Sequence, residues 1–267
     1  MNVVMFRHSL KELRWTVLWY ALGIVLYGLL ILSVYPAVRE NAQTMSELSQ
    51  AFPKAVMDAF GASDMTSLAG FVGGKYLNVM WPIIAGVFVI MAGAATVARE
   101  VERGTIELLL SVPESRTRLF AAKLAALLVG IVVLVAATVG GIALGAALVD
   151  ETLDPGNLLA LGVVLTAFTV AVGGYTVLLS SFSKERGKPA GMAAGLTLAF
   201  YLAWVISGLS EDWEWLAKVS IFTAFEPQRA LANGSLDLSH VGVLAGIGLA
   251  CAVAALAVFR QRDAISS

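Results

Sequence analysis

The sequence predicts an all-α integral membrane protein with six transmembrane helices, and three observations carry that prediction. Of the 267 residues, 58% are hydrophobic and 14% are charged, where an ordinary soluble domain is about a quarter charged. Mean hydropathy is +0.82. Six runs free of Asp, Glu, Lys and Arg each reach the ~20 residues that a helix needs to cross a ~30 Å hydrocarbon layer: residues 15–35, 77–98, 124–149, 158–181, 189–209 and 240–259. Lys and Arg also fall unevenly on the segments between those runs.

The chain divides into an interface helix, residues 1–14, and a single six-span domain, residues 15–267. In residues 1–14, Val3, Phe6, Leu10 and Leu13 recur at steps of three and four while Arg7, Lys11 and Arg14 lie on another face. That pattern predicts an amphipathic helix in the membrane interface. The first apolar run is too long for a signal-peptide core, so it is expected to stay as the first span. Segments 1–14, 99–123, 182–188 and 260–267 hold 13 of the 18 Lys and Arg residues, and the alternate segments hold the other 5. By the positive-inside rule both termini are cytoplasmic, 99–123 is a cytoplasmic loop, and 36–76 and 210–239 are external loops. Trp15, Trp19 and Tyr20 at one boundary, and Tyr35, Tyr76, Trp81, Trp204, Trp213 and Trp215 at the other, are expected in interfacial aromatic belts.

Several function classes drop out. With 18 basic and 19 acidic residues there is no positive excess to meet nucleic acid. One cysteine, Cys251, and two distant histidines, His8 and His240, give no metal-binding spacing. No phosphate loop, nucleophile elbow or other catalytic constellation occurs, so the chain is expected not to be an enzyme. The spans carry no acidic or basic side chain of the sort that binds or relays a driving proton. Their polar groups are hydroxyls, and Thr166, Thr169, Tyr175, Thr176 and Tyr201 are the candidates for a substrate path, against a purely helix-packing role. Gly187, Gly191 and Gly195, and Gly242, Gly246, Ala250 and Ala254, form small-residue stripes at spacing four, suited to packing within the chain or to a subunit interface.

The 99–123 loop is the informative one. A charged stretch is followed by Gly104-Thr105, a short helix with Ile106, Leu109 and Leu110 on one face, and a stop at Pro113. Such a face needs a cover: the bilayer, the chain's own helices or a separate protein. Ser115 then reads as the cap of a helix running through Arg116, Arg118 and Lys123 into the third span.

The run Glu100-Val-Glu-Arg-Gly-Thr-Ile-Glu-Leu-Leu-Leu-Ser-Val-Pro-Glu-Ser-Arg116 resembles the signature of permease subunits of ABC type-2 exporters. The likeness extends over nearly the whole chain, including the interface helix, an external helical segment before the last span and the basic end at 260–262. It implies that the short cytoplasmic helix is a coupling helix docking on a separate ATP-binding subunit. Glu100, Glu102, Arg103, Gly104, Thr105, Ile106, Glu107, Leu109, Leu110, Pro113 and Arg116 would make that contact, and Lys184, Glu185 and Arg186 a second, smaller one. It further implies two ATPase copies carrying ATP and Mg, a second permease copy, most simply a homodimer in the lipid bilayer, and a prokaryotic plasma membrane location. This chain itself would hold no cofactor. The substrate expected is lipophilic or amphipathic, a drug, lipid or similar molecule. The competing reading is a membrane-embedded regulatory or assembly protein that recruits a cytoplasmic partner without transport.

Overall fold

A computed structural model describes residues 3–41, 67–96, 98, 116–183, 185 and 187–261. All regular elements among the described residues are helices, six of them long and apolar enough to cross a membrane. These are α1 (Val3–Glu40), α2 (Leu68–Ala94), α3 (Arg116–Leu148), α4 (Pro155–Phe182), α5 (Gly187–Ser207) and, after two short elements, α7 (Leu238–Gln261). The short elements are a 3-10 helix, Glu211–Lys218, and α6 (Pro227–Asn233).

Local chemistry sets several ends. Ser67 caps α2 by accepting the Gly70 N–H at 3.0 Å. Asp154 caps α4 by accepting from Gly156 at 2.6 Å, with Pro155 in the first turn where its missing N–H is harmless. Gly234 closes α6 in the left-handed region, φ 64°, which a residue without Cβ adopts freely. The middle of α2, Gly73–Met80, is wound as a π-helix.

The structure adds detail at two places. Described from Val3, the expected interface segment runs through Arg14 into the first apolar run as one helix of 38 residues. The expected external loop 36–76 is helical at both margins, because α1 continues through Pro36 to Glu40 and α2 starts at Leu68. Polar or Pro-bearing end turns lie outside any apolar window, so these helices are longer than the apolar runs they contain. The expected helix through Arg116, Arg118 and Lys123 into the third span is continuous from Arg116 to Leu148; its expected cap, Ser115, lies outside the described residues.

α4 is the centre of the bundle. It lies along α7 on one side and packs against α2, α3, α5 and α6, while α1 lies along α3. Ile24 of α1, Phe88 of α2, Leu134 of α3 and Phe168 of α4 are fully buried in one continuous apolar core. Lipid tails are as apolar as these side chains, so close backbone approach and interhelical hydrogen bonds decide which faces meet. At the α4–α7 crossing a Cβ on Gly174 would stand 2.6 Å from the Gly248 Cα. The glycine stripes noted above are elsewhere. A Cβ on Gly187, Gly191, Gly195, Gly242 or Gly246 would meet nothing within 4 Å. α1 turns an exposed ridge of Trp15, Leu18, Trp19, Leu22, Leu26 and Leu30 outward, a surface suited to lipid.

Candidate functional site

Both described termini lie at one end of the bundle. Phe259 near the end of α7 packs on Phe120 near the start of α3, ring centroids 5.8 Å apart. Here α2 is tied to α4 by one side chain: the Ser180 hydroxyl donates to the Ala94 carbonyl at 2.8 Å and accepts the Ala98 N–H at 3.1 Å. Both bonds are buried. Ser180 therefore holds the point where the chain leaves α2 for the 99–115 run, and it sits two residues before α4 ends at Phe182. The roots of the two segments expected to contact an ATPase are brought together by that hydroxyl.

Of the expected contact residues, Glu100, Glu102, Arg103, Gly104, Thr105, Ile106, Glu107, Leu109, Leu110 and Pro113 lie outside the described residues, as do Lys184 and Arg186. Arg116 opens α3. Glu185 accepts from Lys188 Nζ at 2.8 Å, an exposed pair of a kind worth at most about 1 kcal/mol. A cavity of about 90 Å³ lies at the same end between α1, α2 and α3, with Ser9, Glu12, Thr96 and Lys123 in its wall.

The five candidate path residues lie on α4 and α5. Thr166, Thr169 and Thr176 donate to carbonyls of their own helix, Gly162 at 2.7 Å, Leu165 at 2.8 Å and Val172 at 2.6 Å. Tyr175 reaches across to α5, where its hydroxyl meets that of Thr197. The Tyr201 ring packs edge-on against Phe222, centroids 5.3 Å apart.

At the other end the helices are joined by Arg39–Glu151 at 2.7 Å and by Asn157 Nδ2 donating to the Leu231 and Ala232 carbonyls at 3.0 and 3.1 Å. An aromatic cluster sits just inside. Trp81 is fully buried, donates its indole N–H to Thr138 Oγ1 at 2.8 Å and stacks on Phe225 with centroids 6.1 Å apart. Phe168 lies 4.2 Å from Phe225 and 5.1 Å from Phe222. The expected aromatic belt is thus split by the structure. Tyr35, Tyr76 and Trp81 are buried in the chain, whereas Trp213 and Trp215 on the 3-10 helix are exposed. An aromatic near a span end looks the same in sequence whether it meets headgroups or a neighbouring helix.

Above this cluster opens a cavity of about 460 Å³ between the π-helical turn of α2, the end of α5 and residues 222–233. Trp204, Phe222 and Phe225 supply its apolar wall; Asn78, Gln228 and Asn233 bring amides, and Glu226 and Arg229 a facing pair at 3.4 Å. Sequence reasoning missed Ser180, Asn78 and Gln228 and assigned Trp81 to the membrane interface. Only the position of Ser180 and Asn78 inside otherwise apolar runs marked them at all.

No curated protein matches the sequence significantly. A family model described as ABC-2 family transporter protein matches residues 6–264. That match takes in all six long apolar helices and the Glu100–Arg116 run, and membership implies a separate ATP-binding subunit as partner. The chain belongs to the ABC-2 family of transporter proteins and is the membrane-embedded permease subunit of an ABC transporter.

Proposed function

We propose that this permease exports a lipophilic or amphipathic molecule, a drug, lipid or similar compound, taken from the cytoplasm or the inner leaflet. ATP is hydrolysed, with Mg, on the separate subunit. The working unit holds two ATPases and two copies of this chain, in a prokaryotic plasma membrane, with both termini cytoplasmic as the Lys and Arg distribution indicates. The open glycines of α5 and α7 leave room for a second copy to approach closely. The middles of the spans lack the charged groups an ion-coupled carrier would use, so the driving energy enters from outside the chain.

The observation that carries this reading is α3. Its 33 residues begin at Arg116, directly after the Glu100–Ser115 run, and at 1.5 Å per residue extend for about 50 Å. A push on the run is delivered to a continuous rod lying along α1 and against α4. Alternating access then needs two arrangements of the bundle with different substrate affinity.

The test is reconstitution with the co-purifying ATPase in liposomes. Glu107→Lys and Leu110→Asp are expected to leave membrane insertion and ATP hydrolysis in place. Transport per ATP should fall about tenfold, the equivalent of roughly 1.4 kcal/mol of lost coupling. Normal transport by both variants overturns the coupling role, and recovery of a partner without nucleotide-binding motifs favours the regulatory reading instead.

A further inference from the structure

We infer that the 460 Å³ cavity at the end of the bundle opposite the termini is a binding site for a neutral amphipathic molecule whose head carries hydroxyl or amide groups. The volume lies in the range of small-molecule pockets, which combine apolar walls with a few fixed polar groups. Its two halves differ in chemistry. Trp204, Phe222 and Phe225 form one wall, and the last two rings are packed against Phe168, Trp81 and each other, so that wall is held rigid. Rigid aromatic faces accept an apolar body with little loss of conformational freedom.

The other wall is made by backbone geometry. The π-helical turn Gly73–Met80 directs Tyr76 into α1, where its hydroxyl donates to the Ile24 carbonyl at 3.1 Å, yet leaves Asn78 on the cavity side. Gln228 of α6 lies so close that a Cβ on Gly73 would stand 2.6 Å from the Gln228 Cβ. π-Turns of this kind are frequent at functional sites. Amide side chains both donate and accept hydrogen bonds, which suits hydroxyl or amide partners and gives no preference for a charged one.

Charge bookkeeping gives the same answer. Glu226 already faces Arg229 at 3.4 Å and His240 Nδ1 at 3.6 Å, and among the described residues Nδ1 has no hydrogen-bond partner. Among the described residues, a charged head entering the cavity would find no uncompensated opposite charge, and it would lose hydration on entry. A neutral head gives up much less. The site is defined by the walls alone and stands whether or not the chain carries the molecule across the membrane.

The test uses the full chain in lipid nanodiscs and an octyl glucoside bearing a photoreactive diazirine on its tail, with cross-linked peptides identified by mass spectrometry. Labelling should saturate, map to Trp204 or to residues 222–233, and be displaced by unlabelled octyl glucoside. Asn78→Leu with Gln228→Leu should cut it about fivefold, as expected when polar partners of a bound head are lost. The thermal transition of that double variant reports whether it folds. Probes with the same tail and a trimethylammonium or sulfate head should label these peptides about fivefold less. Non-saturating labelling confined to outward surfaces such as Trp15 and Trp19 overturns the site, and equal labelling by the charged probes overturns its neutral chemistry. No ATPase is needed, so failure here is separate from failure of the transport reading.

Discussion

α4 and α5 are adjacent in sequence, apolar and rich in small residues, yet they have opposite fates. In α4, 67% of the most apolar 18-residue window is buried inside the chain, against 6% in α5. Hydropathy does not separate them, at 2.0 and 1.6. Partners do: α4 meets helices on several sides, whereas α5 buries Pro189 and Ala193 and leaves its glycines open. In a membrane an apolar face is as content against lipid as against protein. Burial therefore follows from shape and from hydrogen bonds, and neither is visible in average hydrophobicity.

The strongest way to break this contrast is to enlarge glycines on each side of it. Gly248→Leu on α7 would drive a side chain into α4, since even a Cβ there would lie 2.6 Å from the Val170 carbonyl oxygen. Backbone cannot yield as a flexible side chain does, so the expected loss is about 3 kcal/mol or more. Gly191→Leu, with nothing within 4 Å of its Cβ, should change monomer stability by less than about 0.5 kcal/mol. Apparent melting temperatures of the detergent-solubilised monomer compare the two directly. Equal losses would mean that α5 is packed as tightly as α4.

A smaller effect sharpens the contrast at the helix ends. Ser180→Ala removes both the acceptor for the Ala98 N–H and the donor to the Ala94 carbonyl. Leaving such buried groups unmatched costs about 1–3 kcal/mol. Because the bonds are local, hydrogen exchange should rise at residues 94–98 while the centre of α4 stays protected. Uniform loss of protection would instead assign Ser180 to global stability.

The smallest effect concerns the first turn of α7. Asp237 accepts from the Ser239 hydroxyl at 2.6 Å, its N–H at 2.9 Å and the His240 N–H at 3.4 Å. Those bonds, the Ser239 hydroxyl first, hold its carboxyl below the ordinary value of 3.8, with His240 adding a minor pull. A depressed carboxylate contributes stability above its unfolded pKa and loses it as pH falls through the lower folded value. Asp237→Asn should therefore flatten the acid limb of a melting-temperature profile below about pH 4, leaving neutral pH almost unchanged. An unchanged acid limb would remove Asp237 from the capping role.

These contrasts define what was legible in the sequence. Six uncharged runs were enough to find the six long helices among the described residues, and the expected helix through Arg116, Arg118 and Lys123 into the third span is the first part of α3. The helices run past those apolar runs, as at Val38–Glu40 and Leu68–Tyr76, which no uncharged window could show. The regular glycine stripes drew attention because spacing four is visible in one dimension. The glycines that do the packing, Gly174 and Gly248, are significant only as a pair, and nothing in either segment announces the other. The far-end cavity was illegible for the same reason: Asn78, Trp204 and Gln228 come from three separate stretches.

The π-helical stretch of α2 has a rotational meaning. It sets the phase between the two α-helical halves of one span, so that Phe71 meets Tyr35 on α1 while Trp81 faces Thr138 on α3. In an α-helix each residue advances the azimuth by about 100°. A π-turn takes up more residues than an α-turn, so deleting one residue between Gly73 and Met80 would change the winding there and with it the angle between the half bearing Phe71 and the half bearing Trp81. Tyr76 would leave the Ile24 carbonyl, and Asn78 would leave the cavity. Residue count in this stretch thus acts as an angular setting, and a family comparison that shifts it by one position would change which partners the upper half of the span can reach.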